Sequence, residues 1–326
     1  MKQARALFLA VTLAAAGGAW GAQGGADGAA GYPSRPIRLV VPFPPGGSND
    51  IMARYFAHYL TERLGKQVVV DNRPGADGII GTELASRGQP DGHTLLIASA
   101  AFAVNGATRK INYDPFKSFA WVGRLGYGPS VVSVGPLLKV NTAQELLAHG
   151  RANPGKLTMS TSGGYAQFAS ELFNHLSGMK MVVVIYKGGF PALMDVMGGQ
   201  AHVNMGSLVQ TLPHMKSGRI KALATSGLKR ATAAPDLPTL DEVGVKGYEA
   251  NNWWAIAAPA GTPRGIVMKL NGEIKRYLED PATLKRFQAD GVEADFRTPA
   301  ELHKMMPSEM AKWKEVARIA NIPIGR

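Results

Sequence analysis

The sequence predicts an α/β protein of two lobes. Three observations carry that reading. Apolar, β-branched runs alternate with helix-spaced apolar residues along most of the chain. The length, 326 residues, exceeds one average domain. Two glycine loops, far apart in sequence, each lead from a strand into a helix start.

The first of these loops organises the rest. Ile37–Val41 is a continuous apolar run and reads as a strand buried on both faces. Pro42, Pro44, Pro45, Gly46 and Gly47 end it abruptly. Ser48, Asn49 and Asp50 are all N-cap types. Ile51, Tyr55, Phe56, Tyr59, Leu60 and Leu64 follow at helical spacing, up to Gly65 at a C-cap position. Such a corner leaves backbone N–H groups unpartnered at the positive end of a helix dipole, which suits an anion. The same residues also suit an ordinary βα turn whose glycines only relieve strain.

Strand and helix signals then alternate. Residues 67–70 read as a strand, 73–78 as a loop, 79–86 as a helix, 90–92 as a turn and 94–98 as a strand. This rhythm predicts a parallel sheet with helices on both faces, whose ligands sit beyond the carboxyl ends of the strands. That rule places Gly46-Gly47, Ala76-Asp77 and Ser99 on one rim. Residues 105–121 read as irregular, with a turn at Asp114-Pro115.

A second unit begins near residues 131–134. Thr142 and Glu145 form a capping box for a helix that stops before Asn153-Pro154-Gly155. Strands follow at 157–161, 181–186, 203–206 and 220–225, with helices after Gly164, at 191–197 and at 208–216. Ser162, Gly163 and Gly164 repeat the strand, glycine loop and helix-start pattern. Residues 251–258 read as a strand returning to the first unit, with Trp253 and Trp254 as one core and one rim residue. Pro263 opens the next helix at its first position, 281–289 is a short helix and 292–296 a strand. Thr298 and Glu301 form a second capping box, and Pro307 is expected to kink or split the final helix.

Composition narrows the function. There is no cysteine, which excludes disulfides, thiolate zinc sites and thiol catalysis, and is compatible with an oxidising compartment. The formal charge is +12, but the basic residues are dispersed and not interleaved with aromatics, so nucleic-acid binding is not expected. Attraction for small acidic molecules is the milder inference. Lys2 and Arg5, the apolar run 6–16 and Ala19-Trp20-Gly21 read as a signal peptide over 1–22, and the Gly/Ala-rich stretch 23–31 as a disordered leader. Removing the signal leaves 34 basic against 24 acidic residues, a net charge of +10. Export to a bacterial periplasm follows.

Enzyme constellations are missing. There is no G-x-S-x-G, P-loop or HExxH, the histidines are scattered, and no metal or other cofactor is expected. Two S-x-x-K matches, at Ser177 and Ser226, carry little weight, and Gly75 to Gly81 resembles a dinucleotide fingerprint only loosely. Asp77 would serve as a base or, more simply, as a solvated loop carboxylate. What remains is backbone donors, hydroxyls and the aromatics Phe43, Tyr165 and Phe190, a set that binds without activating a nucleophile.

Seven ordered motifs match a family: 42–50 with Ala53-Arg54, 72–76, 90–92 with 94–96, 186–188 with Pro191-Ala192, 198–200, 237–240 and 258–263. The chain closely resembles the substrate-binding proteins of tripartite tricarboxylate transporters, the Bug receptors, from about Tyr32 onward. The resemblance implies a type II periplasmic binding protein, two α/β lobes joined by two crossing hinge strands near 131–134 and 254–258. Lobe 1 would comprise 32–131 and 255–326, and lobe 2 would comprise 132–254. It implies no catalysis, a monomer, a small carboxylate ligand and membrane transporter subunits as partners. It also implies that Phe43, Gly46, Gly47, Ser48 and Asp50 clasp the carboxylate from one side, and Ser162, Gly163 and Gly164 from the other. Of these, Asp50 is expected to cap its helix and not to touch the anion.

Two departures bear on specificity. Relatives commonly place Ser or Thr, then His, where this chain has Gly164 and Gln167, and often an Asp where it has Gly206-Ser207. Without an acid there, an ammonium group lacks a counter-charge, so a plain or aromatic carboxylate ranks above an amino acid. Two other outputs remain open at this point: an extracytoplasmic co-sensor for a two-component system on the same fold, and an exported hydrolase using the same cleft.

Overall fold

The computed structural model describes residues 29–325. The expected signal peptide lies outside them, as does most of the expected leader. β1 (Ile37–Val41) enters a proline- and glycine-rich turn and then α1 (Ser48–Leu64), whose Met52, Phe56 and Leu60 face inward. Full burial of side chains of this size is worth about 1.5–3 kcal/mol each, which sets the helix against the sheet. Gly65 stops it in the left-handed conformation at φ 63° and donates its N–H to Thr61.

β2 (Val68–Asn72), a single 3-10 turn at Ala76–Gly78, α2 (Ile79–Ser86) and β3 (Thr94–Ser99) complete the first unit. α3 (Ala100–Thr108) and the sixteen-residue β4 (Phe119–Val134) take in the two ends of what the sequence presents as irregular. α3 is apolar on nearly every side because it is buried on nearly every side. Its Asn105-Gly106 looks like a helix breaker, yet a Cβ on Gly106 would stand 3.1 Å from Met310, so glycine there admits a neighbouring helix. The glycines of β4 have a similar cause. A Cβ on Gly126 would stand 2.5 Å from the carbonyl of Glu293, and register shifts flank Gly123 and Gly126.

The second unit runs α4 (Ala143–Ala152), β5 (Thr158–Ser162), α5 (Tyr165–Ser177), β6 (Val182–Tyr186), α6 (Gly189–Met197), β7 (Val203–Ser207), α7 (Leu208–Lys216) and β8 (Lys221–Thr225). β9 (Asn251–Pro259), α8 (Arg264–Glu279), α9 (Pro281–Asp290), β10 (Glu293–Arg297) and α10 (Pro299–Ile319) follow. The capping box at Thr298 and Glu301 forms in full. α10 continues past Pro307 without splitting, and Pro263 is the N-cap of α8, one place earlier than expected.

The sheet is mixed and not wholly parallel as the alternation suggested. Its order is β2-β1-β3-β9-β4-β7-β5-β6, with β8 and β10 also pairing with β4. Each end is a parallel trio in the same order, β2-β1-β3 and β6-β5-β7. The antiparallel strands β9 and β4 lie between them. β4 is shared: through Pro129 it pairs with β9, and from Ser130 onward with β7 and β8. Proline, which has no N–H to donate, sits where the partner changes. This is the two-lobed binding-protein fold with crossing strands. Trp253 and Trp254 are both core residues, 2% and 0% exposed, with their indole N–H groups on Glu309 and Asn49.

Candidate functional site

The α1 corner is built by its own backbone. Gly47, not Ser48, Asn49 or Asp50, is the N-cap, and no side chain caps the helix there. Asp50, inside the first turn, reaches back to accept the Gly46 N–H at 3.0 Å, together with Arg54 Nε at 2.9 Å and Asn72 Nδ2 at 2.9 Å. Burial pushes the Asp50 carboxyl up, but the hydrogen bonds from Arg54, Gly46 and Asn72 outweigh it and hold it below the ordinary carboxylate range. The Gly46 amide is therefore engaged. The free donors are those of Ser48 and the residues just after it.

Asn49 ties this corner to a crossing strand. Its Oδ1 accepts Trp254 Nε1 at 2.9 Å, and its Nδ2 donates to Ser99 Oγ at 3.4 Å. Ser99 is the N-cap of α3, and Asn252 of β9 accepts the Ala100 N–H at 3.1 Å. On the other side, Gly164 is the N-cap of α5 at φ 65°. Tyr165 Oη donates to the Ala250 carbonyl at 2.6 Å and lies 3.2 Å from Ser130 Oγ on β4. Burial raises the Tyr165 phenol, so it remains a neutral donor.

These corners meet around one cavity of about 70 Å³, room on the order of five waters. Five helices begin at its wall: α1 at Ser48-Asn49, α3 at Ser99, α5 at Tyr165-Ala166, α6 at Gly188-Gly189 and α7 at Ser207. Each start presents N–H groups without intrahelical partners and a partial charge of roughly +0.5. Among the described residues, no Lys, Arg, His, Asp or Glu lines the cavity. The wall is electropositive without holding a formal charge. It can grip an anion, and it offers a cation no counter-charge.

The two sides touch. A Cβ on Gly188 would lie 3.2 Å from Pro44 Cγ, and one on Gly46 would lie 3.6 Å from Phe190 Cγ. A Cβ on Gly163 would fall 1.7 Å from Asp77 Oδ1. Asp77 is a partly exposed loop carboxylate that is also held by neighbours. Arg109 Nη2 donates to its Oδ2 at 3.2 Å and Asn105 Nδ2 to its carbonyl at 3.0 Å, while Ala76 and Asp77 both stand at positive φ, 47° and 55°.

Of the residues the sequence singled out, Phe43, Gly47, Ser48, Ser99, Ser162, Gly163, Tyr165, Phe190 and Ser207 line the cavity. Gly46, Asp50, Asp77 and Gly164 stand behind the wall or at the contact between the two sides, and Ala76 is exposed and outside the wall. Sequence reasoning missed Asn49 as a lining residue, Ser130, Asn204, Gln210 and Asn252. Ser207-Leu-Val-Gln210 did carry a signal, the S-x-x-Q of a capping box.

A family model described as the tripartite tricarboxylate transporter family receptor, TctC, matches residues 52–322. The chain is 36% identical over 292 residues to Protein BugT of Bordetella pertussis, covering 88% of this chain and 90% of that one. A protein of R. palustris solved with adipate shares 32% identity at a TM-score of 0.87, covering 90% of this chain and 99% of that one. MatC from Rhodopseudomonas palustris, solved with bound malate, shares 27% identity at a TM-score of 0.81, over 87% and 99%. Among the described residues, no helix is long and apolar enough to cross a membrane. Matched over most of its length and folded as two lobes around crossing strands, this chain belongs to the tripartite tricarboxylate transporter receptor family, the Bug receptors.

Proposed function

We propose that the protein is a periplasmic solute-binding receptor, acting as a monomer, that captures a small carboxylate between its lobes. It then delivers the ligand to the membrane subunits of a tripartite transporter. One observation carries the reading: five helix N-termini open onto one cavity whose wall holds no charged side chain. An anion gains about 0.3–1 kcal/mol from each such terminus at an exposed site, and up to about 2 kcal/mol where the geometry is partly buried. Nothing in that wall moves a proton or activates a nucleophile, so the ligand leaves unchanged. The adipate and malate held by the two solved relatives support the carboxylate class.

The expected action is differential binding. Lobe 1 (32–131 and 255–326) and lobe 2 (132–254) close about the crossing strands, and the closed form gains the donors of α5, α6 and α7 only when an anion bridges to α1. Asn49–Trp254 and Tyr165–Ala250 link the two sides of the site directly to the crossing segments, which supports a hinge at that place.

Native mass spectrometry of freshly purified protein, followed by a thermal-shift screen of di-, tri- and aromatic carboxylates, tests the reading. A ligand at 100 times its Kd stabilises the folded form by about 2.7 kcal/mol. A complete panel that leaves the melting temperature unmoved refutes the carboxylate assignment. Deletion of the gene with uptake of labelled ligand unimpaired refutes the delivery role.

A further inference from the structure

The two parallel trios end in matching edge strands that the sequence treats differently. β2 and β6 hold equivalent places in β2-β1-β3 and β6-β5-β7. A free edge is open to pairing with another chain, and charges, proline, a bulge or a covering element ordinarily block it. β2 carries such a block: Asp71, within the strand, is ion-paired with Arg38 and Arg73. β6 reads Val-Val-Val-Ile-Tyr, with no charge, no proline and no register shift against β5. Val182 and Ile185 are 49% and 51% exposed. None of the side chains from Val182 to Ile185 belongs to the described hydrophobic cores, so the apolar run is not explained by packing within the fold.

The backbone of β6 is only half used. Val182 N–H donates to the Leu157 carbonyl at 2.8 Å, so in the parallel register Val182, Val184 and Tyr186 turn their backbone groups to β5. Those of Val183 and Ile185 point to the free side, where no described residue bonds to them. Met181, on that same side, shows what satisfies such groups. Asn174 Nδ2 donates to its carbonyl at 2.8 Å, and Asn174 Oδ1 accepts its N–H at 2.7 Å. A side-chain amide thus stands where an added strand would run, for one residue, and the next two outward positions are left open.

Charge selects the occupant. Lys180 precedes β6, Lys156 lies beside it through the bond from Gly155 N–H to the Lys180 carbonyl, and Lys187 follows the strand; all three are exposed. Asp195, the acid beside the strand, is occupied with the Tyr186 hydroxyl at 2.6 Å. Two copies of β6 paired antiparallel would bring Lys180 of each close to Lys187 of the other, and like charges facing across strands are unfavourable. Acids at the ends of the added strand turn that conflict into attraction. We propose that the β6 edge is a docking strand for an extended segment of another protein, apolar along its length and acidic at both ends. The segment adds as one further strand, exchanging hydrogen bonds with the backbone of Val183 and Ile185 and covering the exposed aliphatic side chains. Docking at this edge is independent of what the cavity holds.

The test is fluorescence anisotropy of the full mature chain with two labelled seven-residue peptides, valine and threonine alternating between terminal glutamates or between terminal lysines. The wild type is expected to bind the glutamate-ended peptide at least about tenfold more tightly, with hydrogen exchange slowed at the Val183 and Ile185 amides. Val183→Pro removes one outward N–H and no bond to β5, so it should fold and lose about tenfold or more in peptide affinity. Lys180→Glu combined with Lys187→Glu is expected to reverse the preference towards the lysine-ended peptide, a gain that misfolding cannot produce. Equal binding of the two peptides, binding of neither, or protection confined to residues outside β6 overturns the docking strand. So does a wild-type dimer in sedimentation that Val183→Pro abolishes, which assigns the edge to a second copy of the chain. Each of these outcomes leaves the receptor reading standing.

Discussion

Gly163→Ala, read against a second substitution at Asp77, separates lobe closure from direct contact with the ligand. Gly163 does not occupy the positive-φ region, so alanine meets no backbone strain there. Its added Cβ instead falls 1.7 Å from Asp77 Oδ1 and 2.6 Å from Asp77 Cγ, on the opposite side of the cavity. Asp77 has little room to retreat. Its carbonyl is held by Asn105 and its carboxylate by Arg109, on a turn already at φ 55°. The Arg109 pair is partly exposed and by itself worth no more than about 1 kcal/mol, so most of the penalty is steric. Overpacking of this kind costs about 1–3 kcal/mol. Taken as about 2 kcal/mol on the closed form alone, it raises Kd roughly 30-fold. The ligand-free protein should melt as the wild type does, because the two residues need not touch when the lobes part. Adding Asp77→Gly removes both the obstacle and the strained side chain, and should restore most of the affinity. Calorimetry on the two single variants and the double variant reads this directly. Wild-type affinity in Gly163→Ala, or a double variant no better than Gly163→Ala, would refute the closure argument.

Three further outcomes follow from the same geometry. Gly47→Val should cost only about 1 kcal/mol of stability as a poorer N-cap, since a Cβ there meets nothing nearer than the Pro44 carbonyl at 3.8 Å, while abolishing carboxylate binding by occupying the wall; retained affinity in calorimetry removes Gly47 from the site. Asp50→Asn should cost about 1.5–3 kcal/mol in denaturant unfolding, because it replaces a buried ionised acceptor of three hydrogen bonds. The folded pKa of Asp50 lies below the unfolded value near 3.9, so its stabilisation is complete above about pH 4 and is lost as pH falls through the lowered folded value. The gap between wild type and Asp50→Asn must therefore narrow on acidification, and a gap independent of pH refutes the role. In stopped-flow experiments, rising ionic strength should slow association and leave dissociation nearly constant; the reverse pattern would place a formal charge in the site.

Much of the site was legible where a signal is local. Pro42 to Gly47 marks a strand that must end and a helix that must begin, and Ser162 to Gly164 does the same, so both corners could be read from adjacent residues. What escaped is set by neighbours distant in sequence. Gly123, Gly126 and Gly128 look like breaks in a strand until β10 and the Gly291 carbonyl are seen lying against them. α3 offers no polar face to show its period, because the sheet and α10 cover it. Gln210 was hidden for a different reason. Its spacing from Ser207 suggests two groups that satisfy each other, and only the three-dimensional arrangement shows both left over. Asp77 likewise reads as a solvated loop carboxylate until Arg109, 32 residues on, is found to hold it.

The charge distribution divides attraction from grip. The chain carries 36 Lys and Arg against 24 Asp and Glu, yet among the described residues none of these charges lines the cavity. Surface charge acts over a Debye length of about 8 Å at physiological ionic strength and so governs encounter. Helix starts act within a turn of their ends and so govern residence. An arginine in the wall would hold a carboxylate more firmly through paired, charge-assisted bonds, but it would have to be desolvated at every closure, at several kcal/mol. It would also keep its grip when the lobes part. Amides contributed separately by α1 on one side and α5, α6 and α7 on the other are strong only while assembled. In the proposed hinge motion, opening takes the two sets apart and dissolves the site, which is the property a protein needs if it is to surrender its ligand to a membrane partner.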